Sequence, residues 1–350
     1  MEFSPAPEYT VFPRPGETAL APYQAAVRAT DQARSVVREL QPHVVVADIL
    51  TVAATLAAEV EGVPWATLVP HPLPTREPHW PPFATGARIP RSPIGRALWR
   101  GFDPLVRHGE RQGRDELNGA RTRVGLPPIE ELHGGISRRL ALVATFPQFE
   151  YEREEPNDWM EVTGPLLWEP PYEGSEAPPG DDPLVLVAPS TSQDPDHTLL
   201  RATLGGLADE PVRVLATTNR RTPEERIPVP PNARLVDWFS HSREMPGAAA
   251  VVCHGGHGTV ARALVSGAPV VACPAAGDMA ENAARLAWAG AGVALPRRLV
   301  GARGVRVAVR KAIGDPTYSA RAGELSRWMA ANPPGERAAE LVERLALAAA

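Results

Sequence analysis

Short apolar runs alternate with helix-like segments along most of this 350-residue chain, and this alternation restricts the fold more than any other feature. The runs over residues 43–48, 65–69, 184–188 and 249–253 are rich in Val, Leu and Ala and are bounded by turn residues. Continuous apolar runs of this length are typical of strands that are buried on both faces of a parallel sheet. The sequence therefore predicts an α/β protein in which helices connect parallel strands.

The apolar runs fall into two groups, separated by a proline-rich segment over residues 166–183. This segment has the composition of an interdomain linker, and about 150 residues per domain also predicts two domains. We expect two Rossmann-like, doubly wound parallel-sheet lobes that face each other across a cleft. The predicted boundaries are an N-terminal lobe over 1–165, a C-terminal lobe over 184–334, and a C-terminal helix over 335–350 that packs back toward the N-terminal lobe.

Charge and hydropathy exclude several functional classes. A formal net charge of −5 gives no positive field for a nucleic acid or an anionic membrane. No apolar stretch approaches the ~20 residues of a membrane-spanning helix, and the N-terminus lacks the basic and apolar regions of a secretory signal. With Cys253 and Cys273 as the two cysteines, no disulfide framework is expected. We therefore predict a cytoplasmic protein with no membrane span and no nucleic-acid partner.

The segment over residues 251–264 has the clearest chemical signature in the chain. Its sequence is Val-Val-Cys-His-Gly-Gly-His-Gly-Thr-Val-Ala-Arg-Ala-Leu, a buried strand that leads through a glycine-rich turn into a helix. Such a turn lets the backbone approach a ligand, and the first helical turn leaves N–H groups free, so together they favour a phosphate or diphosphate. Because the helix dipole contributes only about 0.3–1 kcal/mol, His254 and Thr259 are expected to donate further hydrogen bonds. The alternative is a turn that needs glycine only for packing.

The next strand–helix unit adds polar groups to the same end of the predicted sheet. An apolar run over residues 270–273 is followed by Pro-Ala-Ala-Gly and by a helix that begins at Asp278 and stops before Gly290. The carboxyl ends of neighbouring parallel strands meet at one crevice, where ligands bind. Asp278 and Asn282 lie one turn apart on this helix, so both are expected to reach hydroxyl groups of a ligand held at residues 254–259.

The pattern His-x-Gly-x-Gly-Thr, then Gly-Ala-Pro, then Pro-x-x-x-Asp-x-x-x-Asn-Ala, resembles the donor-binding box of inverting nucleotide-sugar glycosyltransferases. The resemblance is to the GT-B branch with two Rossmann lobes, a UDP-glucuronosyltransferase-like and UDP-glucosyltransferase-like family that glycosylates antibiotics and other secondary metabolites. It is specific over residues 232–296 and looser elsewhere. It implies that the N-terminal lobe binds the acceptor and that the C-terminal lobe binds the nucleotide sugar.

The resemblance also implies a role for each residue that matches the family's motif. Asp278 contacts sugar hydroxyls in this scheme, and Trp238 stacks on the nucleobase. The diphosphate is held by a set of polar and glycine residues in the turn: His254, Gly256, Gly258 and Thr259.

Three departures from the family's pattern leave the identity of the donor open. Trp238-Phe239-Ser240-His241 replaces the motif Trp-x-Pro-Gln. Arg262 stands where the family often has a glutamate that binds the ribose. Met279 follows Asp278 where the family usually has glutamine, and a thioether cannot bridge two hydroxyls as an amide does. Neither the nucleobase nor the sugar of the donor is therefore carried over to this chain.

The N-terminal lobe departs furthest from the family's pattern. The resemblance places a general-base histidine in the first strand–helix loop and a carboxylate later in the lobe that orients it. Asp48 matches the carboxylate, but residues 1–41 contain no histidine. We therefore expect an incomplete N-terminal lobe, either truncated or a natural variant without the base, and slow sugar transfer, since a general base typically contributes ~10²–10⁴ in rate.

His71 follows the strand over residues 65–69 and is the local candidate to replace the missing base. The alternative for His71 is a residue of the acceptor pocket or of a loop. The alternative for Asp48 is a helix cap that follows its strand.

The sequence leaves two other functions open. Gly256-x-Gly258-x-x-Ala261 matches a dinucleotide fingerprint with Asp278 ~20 residues on, which indicates an NAD(P)-dependent oxidoreductase. The absent base indicates a non-catalytic nucleotide-sugar-binding or regulatory protein. We favour an inverting glycosyltransferase that acts on a hydroxyl of a small, apolar or aromatic acceptor, as a monomer or homodimer. No cofactor beyond the donor substrate and no metal is expected.

Overall fold

The computed structural model describes residues 22–154, 157–169, 171–172, 177–190, 194–275 and 277–348. The proline-rich residues 1–21 and part of the predicted linker lie outside the described residues. The described chain forms two parallel sheets, one of four strands and one of six. Among the described residues, no helix has both the length and the apolar character that crossing a membrane requires.

The first sheet has four parallel strands in the order β1-β2-β3-β4. The strands are β1 (Val45–Asp48), β2 (Trp65–Val69), β3 (Ala141–Val143) and β4 (Met160–Val162). The helices of this part are α1 (Pro22–Leu40), α2 (Val52–Val60) and α3 (Pro93–Arg123). The strand β4 was not predicted, because its three residues are too short a run to show a pattern.

The second sheet has six parallel strands in the order β10-β9-β8-β5-β6-β7. The strands are β5 (Leu184–Ala188), β6 (Arg213–Thr217), β7 (Ala233–Val236), β8 (Ala250–Cys253), β9 (Val270–Ala272) and β10 (Gly292–Ala294). The helices are α4 (Thr198–Leu207), α5 (His241–Glu244), α6 (His257–Val265), α7 (Asp278–Ala289), α8 (Ala302–Gly314), α9 (Pro316–Ala331) and α10 (Pro334–Ala348).

The order of the strands in the second sheet reverses at β5. The chain runs outward from β5 to β6 and β7, then returns to β8 on the other side of β5 and continues to β9 and β10. The chain therefore leaves β5 and β8 toward opposite sides at the carboxyl edge of the sheet. Ligands of open α/β sheets bind at such a reversal point.

The second sheet is buried on both faces, as its apolar runs predict. Leu186 and Ala188 of β5 lie in one hydrophobic cluster, with residues of α6, α7 and α9. Val185 and Val187 lie in the opposite cluster, with residues of α4 and α8. All four side chains have 0 or 1% of their surface exposed, which accounts for the absence of a polar alternation along the strand.

The helix α4 begins later than its sequence indicates. The pair Asp194-Pro195 predicts an N-cap and a proline in the first turn, but α4 begins at Thr198. His197 at its N-cap is left-handed, with φ of 52°. The carboxylate of Asp194 caps the helix from further upstream, because it accepts hydrogen bonds from Thr198 N at 2.8 Å and Leu199 N at 3.0 Å.

Buried side chains join the segment after β3 to the second sheet. Phe146 and Phe149 are fully buried within the hydrophobic cluster of the second sheet. Arg285 of α7 donates a hydrogen bond of 2.7 Å to the Phe149 carbonyl oxygen, forms a 2.7 Å ion pair with Glu281, and lies 3.4 Å from the centroid of the Tyr151 ring. Such a buried arginine is stable only when its donors are paired.

The helix α10 lies against the first sheet. Its Ala338 and Leu341 share a hydrophobic cluster with Ala66 of β2 and Leu142 of β3. Arg337 adds an exposed ion pair of 3.2 Å to Glu161 of β4, which contributes little on its own. The last helix of the chain thus packs on strands that come early in the sequence.

Candidate active site

Two glycines shape the turn between β8 and α6. Gly255 has φ of +83°, which L residues rarely adopt, and a Cβ at this position would lie 3.0 Å from the Met279 carbonyl oxygen. At Gly256, an added Cβ would overlap Nε2 of His254. The backbone of the turn therefore lies against two neighbours, and only glycine allows both contacts.

His254 points across the turn with its imidazole over Gly256. Its Nδ1 lies 3.3 Å from the Ala188 carbonyl oxygen at the end of β5. Burial lowers the pKa of His254, while the Ala188 carbonyl and the charges of Asp278 and Asp194 oppose that shift. The neutral imidazole that donates from Nδ1 leaves Nε2 without a proton. An anion at Nε2 therefore binds together with a second proton, which solvent or the anion supplies.

The N-terminus of α6 has open hydrogen-bond donors. Gly256 occupies the N-cap and no side chain caps the helix. The first N–H of this stretch with a helical partner is that of Val260, which donates to Gly256 O at 3.1 Å. Gly258 is exposed and Thr259 is half-buried, and the Thr259 hydroxyl has no hydrogen-bond partner among the described residues. The free N–H groups and this hydroxyl form a site for an anion.

Asn282 connects the β8–α6 turn to the start of α7. Its Nδ2 donates to Gly255 O at 3.0 Å and to Asp278 Oδ2 at 3.2 Å. The side chain has no exposed surface and holds the two loops together, while its contact with a ligand hydroxyl stays a prediction. Asp278 is half-exposed at the first position of α7.

Met279 contributes its backbone to the site. Its carbonyl oxygen is the atom that Gly255 approaches, and its side chain is half-buried beside Asp278. The turn between β8 and α6 and the start of α7 are therefore in contact, at the same end of the sheet where the sequence predicts both. The positive φ of +55° at Gly277 brings the chain into α7.

Trp238 follows β7 and is already in contact with two side chains. His241 stacks on its indole at 5.6 Å between ring centroids and 24° between planes, and the Arg220 guanidinium lies 5.0 Å from the ring centroid. The indole is half-buried, and its N–H has no hydrogen-bond partner among the described residues. A nucleobase that stacks on Trp238 has to share the ring with these neighbours.

Asp48 and His71 lie at the carboxyl ends of adjacent strands of the first sheet. Asp48 ends β1, and its Oδ1 accepts a hydrogen bond of 2.8 Å from Leu50 N, which closes the turn before α2. His71 follows β2, with Nδ1 2.8 Å from Pro72 O and its ring 5.4 Å from that of Phe83. Within the described chain, no hydrogen bond joins Asp48 to His71.

His257 links the two sheets, a role that no local sequence pattern indicates. Its Nε2 lies 2.9 Å from the Thr145 hydroxyl, which follows β3. Burial first, and then the charge of nearby His71, lower the pKa of His257 to about 3. The first residue of α6 is therefore a neutral histidine that contacts the first lobe, beside His71. A pair of residues so distant in sequence is found only from the tertiary fold.

Both cysteines are buried, and Cys253 Sγ accepts a hydrogen bond of 3.4 Å from Gly255 N in the turn. Burial raises the pKa of the Cys253 thiol to about 12, and Cys273 is also buried. The two thiols are free in this structure. Among the described residues, no group of three or more His, Cys, Asp or Glu side chains is arranged to hold a metal ion.

Comparison with known proteins identifies the family. Residues 201–345 match the erythromycin biosynthesis protein CIII-like, C-terminal domain family. The chain is also 32% identical over 315 residues to the 4'-demethylrebeccamycin synthase of Lentzea aerocolonigenes, with 86% of this chain and 73% of the synthase covered. The chain belongs to the antibiotic glycosyltransferase family. This glycosyltransferase is also 29% identical over 309 residues to a rhamnosyltransferase of Mycobacterium bovis, with 83% of this chain and 64% of that enzyme covered.

Solved structures share the fold of this glycosyltransferase. A kitacinnamycin glycosyltransferase superposes with a TM-score of 0.70 at 23% identity, covering 93% of this chain and 81% of that one. The calicheamicin glycosyltransferase gives 0.68 at 22% identity, covering 95% and 82%. The prediction of a GT-B fold is confirmed. The predicted glycosyltransferase class is also confirmed, and the alternative of an NAD(P)-dependent oxidoreductase is wrong, because the relatives are glycosyltransferases.

A single methyl group at Gly256 tests the geometry of the turn. We expect Gly256→Ala to displace the His254 imidazole and to weaken the binding of a nucleoside diphosphate about tenfold, or ~1.4 kcal/mol. The control is Gly205→Ala in α4, where an added Cβ meets no atom within 4 Å. Isothermal titration calorimetry of the three proteins gives the dissociation constants. Equal affinity in all three would contradict a ligand site at this turn.

Proposed function

We propose that this glycosyltransferase moves a sugar from a nucleoside diphosphate donor to a hydroxyl of a small apolar or aromatic acceptor, with inversion at the anomeric carbon. The proposal rests above all on one observation, the uncapped N-terminus of α6 beneath the His254 imidazole. Open N–H groups and a protonatable imidazole on one turn favour the diphosphate of such a donor.

Two solved neighbours support a nucleoside diphosphate as the ligand. VinC, with a TM-score of 0.66 at 23% identity, was crystallised with dTDP. The spinosyn rhamnosyltransferase SpnG, with a TM-score of 0.64 at 18% identity, was crystallised with thymidine diphosphate. In this chain we assign the diphosphate to the turn that contains His254, Gly256, Gly258 and Thr259. Thymidine diphosphate is therefore the first ligand to test.

His254 binds the diphosphate as a cation in this proposal. In the free protein its Nδ1 faces the Ala188 carbonyl oxygen, and burial favours the neutral ring. A diphosphate oxygen near Nε2 stabilises the protonated ring, so binding raises the pKa of His254. Charge-assisted hydrogen bonds of this kind contribute about 1.5–3 kcal/mol. The same charge stabilises the diphosphate as it leaves the sugar.

We assign the sugar to Asp278 and the nucleobase to Trp238. Asp278 Oδ2 accepts a hydrogen bond of 3.2 Å from Asn282 Nδ2, and we propose that Oδ1 accepts one from a sugar hydroxyl. Trp238 lies on the loop after β7, at the same carboxyl edge of the sheet as the turn. Arg220 and His241 limit the nucleobase to the part of the indole that they leave open.

The acceptor side of the proposed reaction belongs to the first lobe. His71 directs Nδ1 at the Pro72 carbonyl oxygen, at 2.8 Å, so the neutral ring presents Nε2 as a proton acceptor. In the step we propose, Nε2 takes the proton of the acceptor hydroxyl as its oxygen attacks the anomeric carbon. The bond from that carbon to the diphosphate oxygen breaks, and the electron pair leaves with the nucleoside diphosphate. Attack opposite the leaving group inverts the carbon.

Asp48 supports this step from the neighbouring strand. Its carboxylate is fixed by Leu50 N and lies at the same edge of the first sheet as His71. We propose that it contributes negative charge near the acceptor site rather than a direct contact with His71. Phe83, against the His71 ring at 5.4 Å, gives an apolar wall that suits an aromatic or apolar acceptor.

The affinity for thymidine diphosphate is expected to depend on pH through His254. Because the pKa of His254 is lowered in the free protein and rises on binding, the affinity is highest at low pH and falls as the pH rises through the bound-state value. His254→Ala should lose about tenfold or more in affinity at pH 6 and show a weaker pH dependence.

Calorimetry from pH 5.5 to 8.5 compares the wild type with His254→Ala and with His43→Ala, an exposed control histidine. The terminal phosphate of the ligand titrates in the same pH range. The difference between the pH profiles of the wild type and His254→Ala therefore gives the contribution of His254. A parallel pH profile in His254→Ala would show that the ring stays neutral on binding.

Replacement of His71 separates catalysis from donor binding. His71→Ala should lower kcat by ~10²–10⁴, the usual contribution of a general base, while the dissociation constant of thymidine diphosphate stays the same. The measurement is the rate of nucleoside diphosphate release with a phenolic acceptor, with His108→Ala on the exposed face of α3 as the matched control. An unchanged kcat in His71→Ala would remove this residue from the reaction.

A further inference from the structure

A second cavity lies between the two lobes, away from the Gly255–Gly256 turn. Its volume is about 500 Å³, within the range of small-molecule sites. The segment before α3 forms one wall, and the carboxyl-terminal half of α7, with β10, α8 and α9, forms the other. The side chains that matter are three cations and three aromatic rings: Arg88, Arg91, Lys311, Tyr151, Trp288 and Tyr318.

The charges in this cavity have one sign. The lining contains Arg88, Arg91 and Lys311 but no aspartate or glutamate. None of these three cations has a carboxylate within 4.0 Å in the part of the chain that the structure describes. Asp315 lies near Lys311, but its Oδ1 is engaged by the N–H of Thr317 at 3.0 Å and by its hydroxyl at 2.6 Å.

Aromatic rings lie directly beside these charges. The Arg91 guanidinium is 5.1 Å from the Trp288 ring centroid, and the Lys311 ammonium is 5.8 Å from that of Tyr318. Tyr151 meets Trp288 edge to face at 5.3 Å, and 41% of the Trp288 surface is exposed. The cavity therefore presents a partly exposed indole beside Arg91, a cation that has no carboxylate within 4.0 Å among the described residues.

We propose that this cavity binds an aromatic anion, a planar ring system that carries a carboxylate or a phosphate. The indole of Trp288 and the ring of Tyr318 offer faces for stacking. Arg88, Arg91 and Lys311 supply donors for the acidic group, and guanidinium groups match its planar oxygens. Small side chains on α7, Ala284 and Ala287, leave room for the ring system.

This site is separate from the proposed donor site. Asp278 begins α7 and Trp288 lies ten residues later, about 15 Å along the helix at 1.5 Å per residue. A ligand here contacts the N-terminal lobe through Arg88 and Arg91 and the C-terminal lobe through Trp288 and Lys311. Its binding is therefore expected to leave the affinity for thymidine diphosphate unchanged, which keeps a test of this site independent of the proposed function.

The test uses 2-naphthoate as the aromatic anion, with neutral 2-naphthamide and inorganic phosphate as comparisons. Calorimetry should give one saturable site for 2-naphthoate, with an affinity about tenfold or more above that of either comparison. Affinity should fall about tenfold or more in the double variant Arg91→Gln/Lys311→Gln and in Trp288→Leu. Arg96→Gln, an exposed arginine of α3 that does not line the cavity, should bind like the wild type.

Three results would overturn the proposal. The first is no saturable binding of 2-naphthoate at millimolar concentration. The second is equal affinity in the wild type and in Arg91→Gln/Lys311→Gln, or equal affinity for 2-naphthamide. The third is displacement of 2-naphthoate by thymidine diphosphate, which would place it at the turn after β8. Because Arg91, Arg96 and Lys311 are exposed and 41% of the Trp288 surface is exposed, the variants are expected to fold.

Discussion

The close approach of the Gly255 backbone to the start of α7 is the constraint on which the site depends. The left-handed conformation of Gly255 turns its carbonyl oxygen toward Asn282 and leaves 3.0 Å between an ideal Cβ and the Met279 carbonyl oxygen. Asn282 uses one amide group to hold both Gly255 and Asp278. Two loops from different strand–helix units thereby form one rigid surface. The open end of α6 and the carboxylate of Asp278 are presented together because of it.

The position of the first lobe relative to this surface is set by buried contacts. His257 meets Thr145, Arg285 meets the Phe149 carbonyl oxygen, and Phe146 and Phe149 enter the core of the second sheet. The same helix, α6, therefore begins at the proposed diphosphate turn and contacts the lobe that carries His71. A direct displacement needs the nucleophile and the leaving group on opposite sides of one carbon. The buried contacts of His257 and Arg285 are suited to keeping the distance between the first lobe and the proposed diphosphate turn fixed.

Much of the architecture follows from the sequence, because buried parallel strands and glycine stops leave a strong local pattern. The bounds of β2 (Trp65–Val69), β5 (Leu184–Ala188) and α7 (Asp278–Ala289) match the predictions. The three-residue strand β10 was not predicted, because so short a run has no periodicity. The late start of α4 was not predicted either, because Asp194 caps the helix from outside it.

The roles of individual site residues were harder to predict than their positions. The spacing of Asp278 and Asn282 is as expected, yet burial turns Asn282 inward to tie two loops together. The contact of His257 with Thr145 joins residues 112 positions apart, and no local pattern encodes such a pairing. Nor does the sequence reveal that Arg220 and His241 lie against Trp238. The strand and helix patterns in the sequence predict which loops lie next to each other. The role of each side chain depends on tertiary contacts, which these patterns do not predict.

A crystal structure of the protein with thymidine diphosphate tests the central claim most directly. The account predicts phosphate oxygens within hydrogen-bonding distance of the first N–H groups of α6 and of Nε2 of His254, with Asn282 still bonded to Gly255 O. A nucleotide bound elsewhere, or a turn with no nucleotide at saturating concentration, would contradict it.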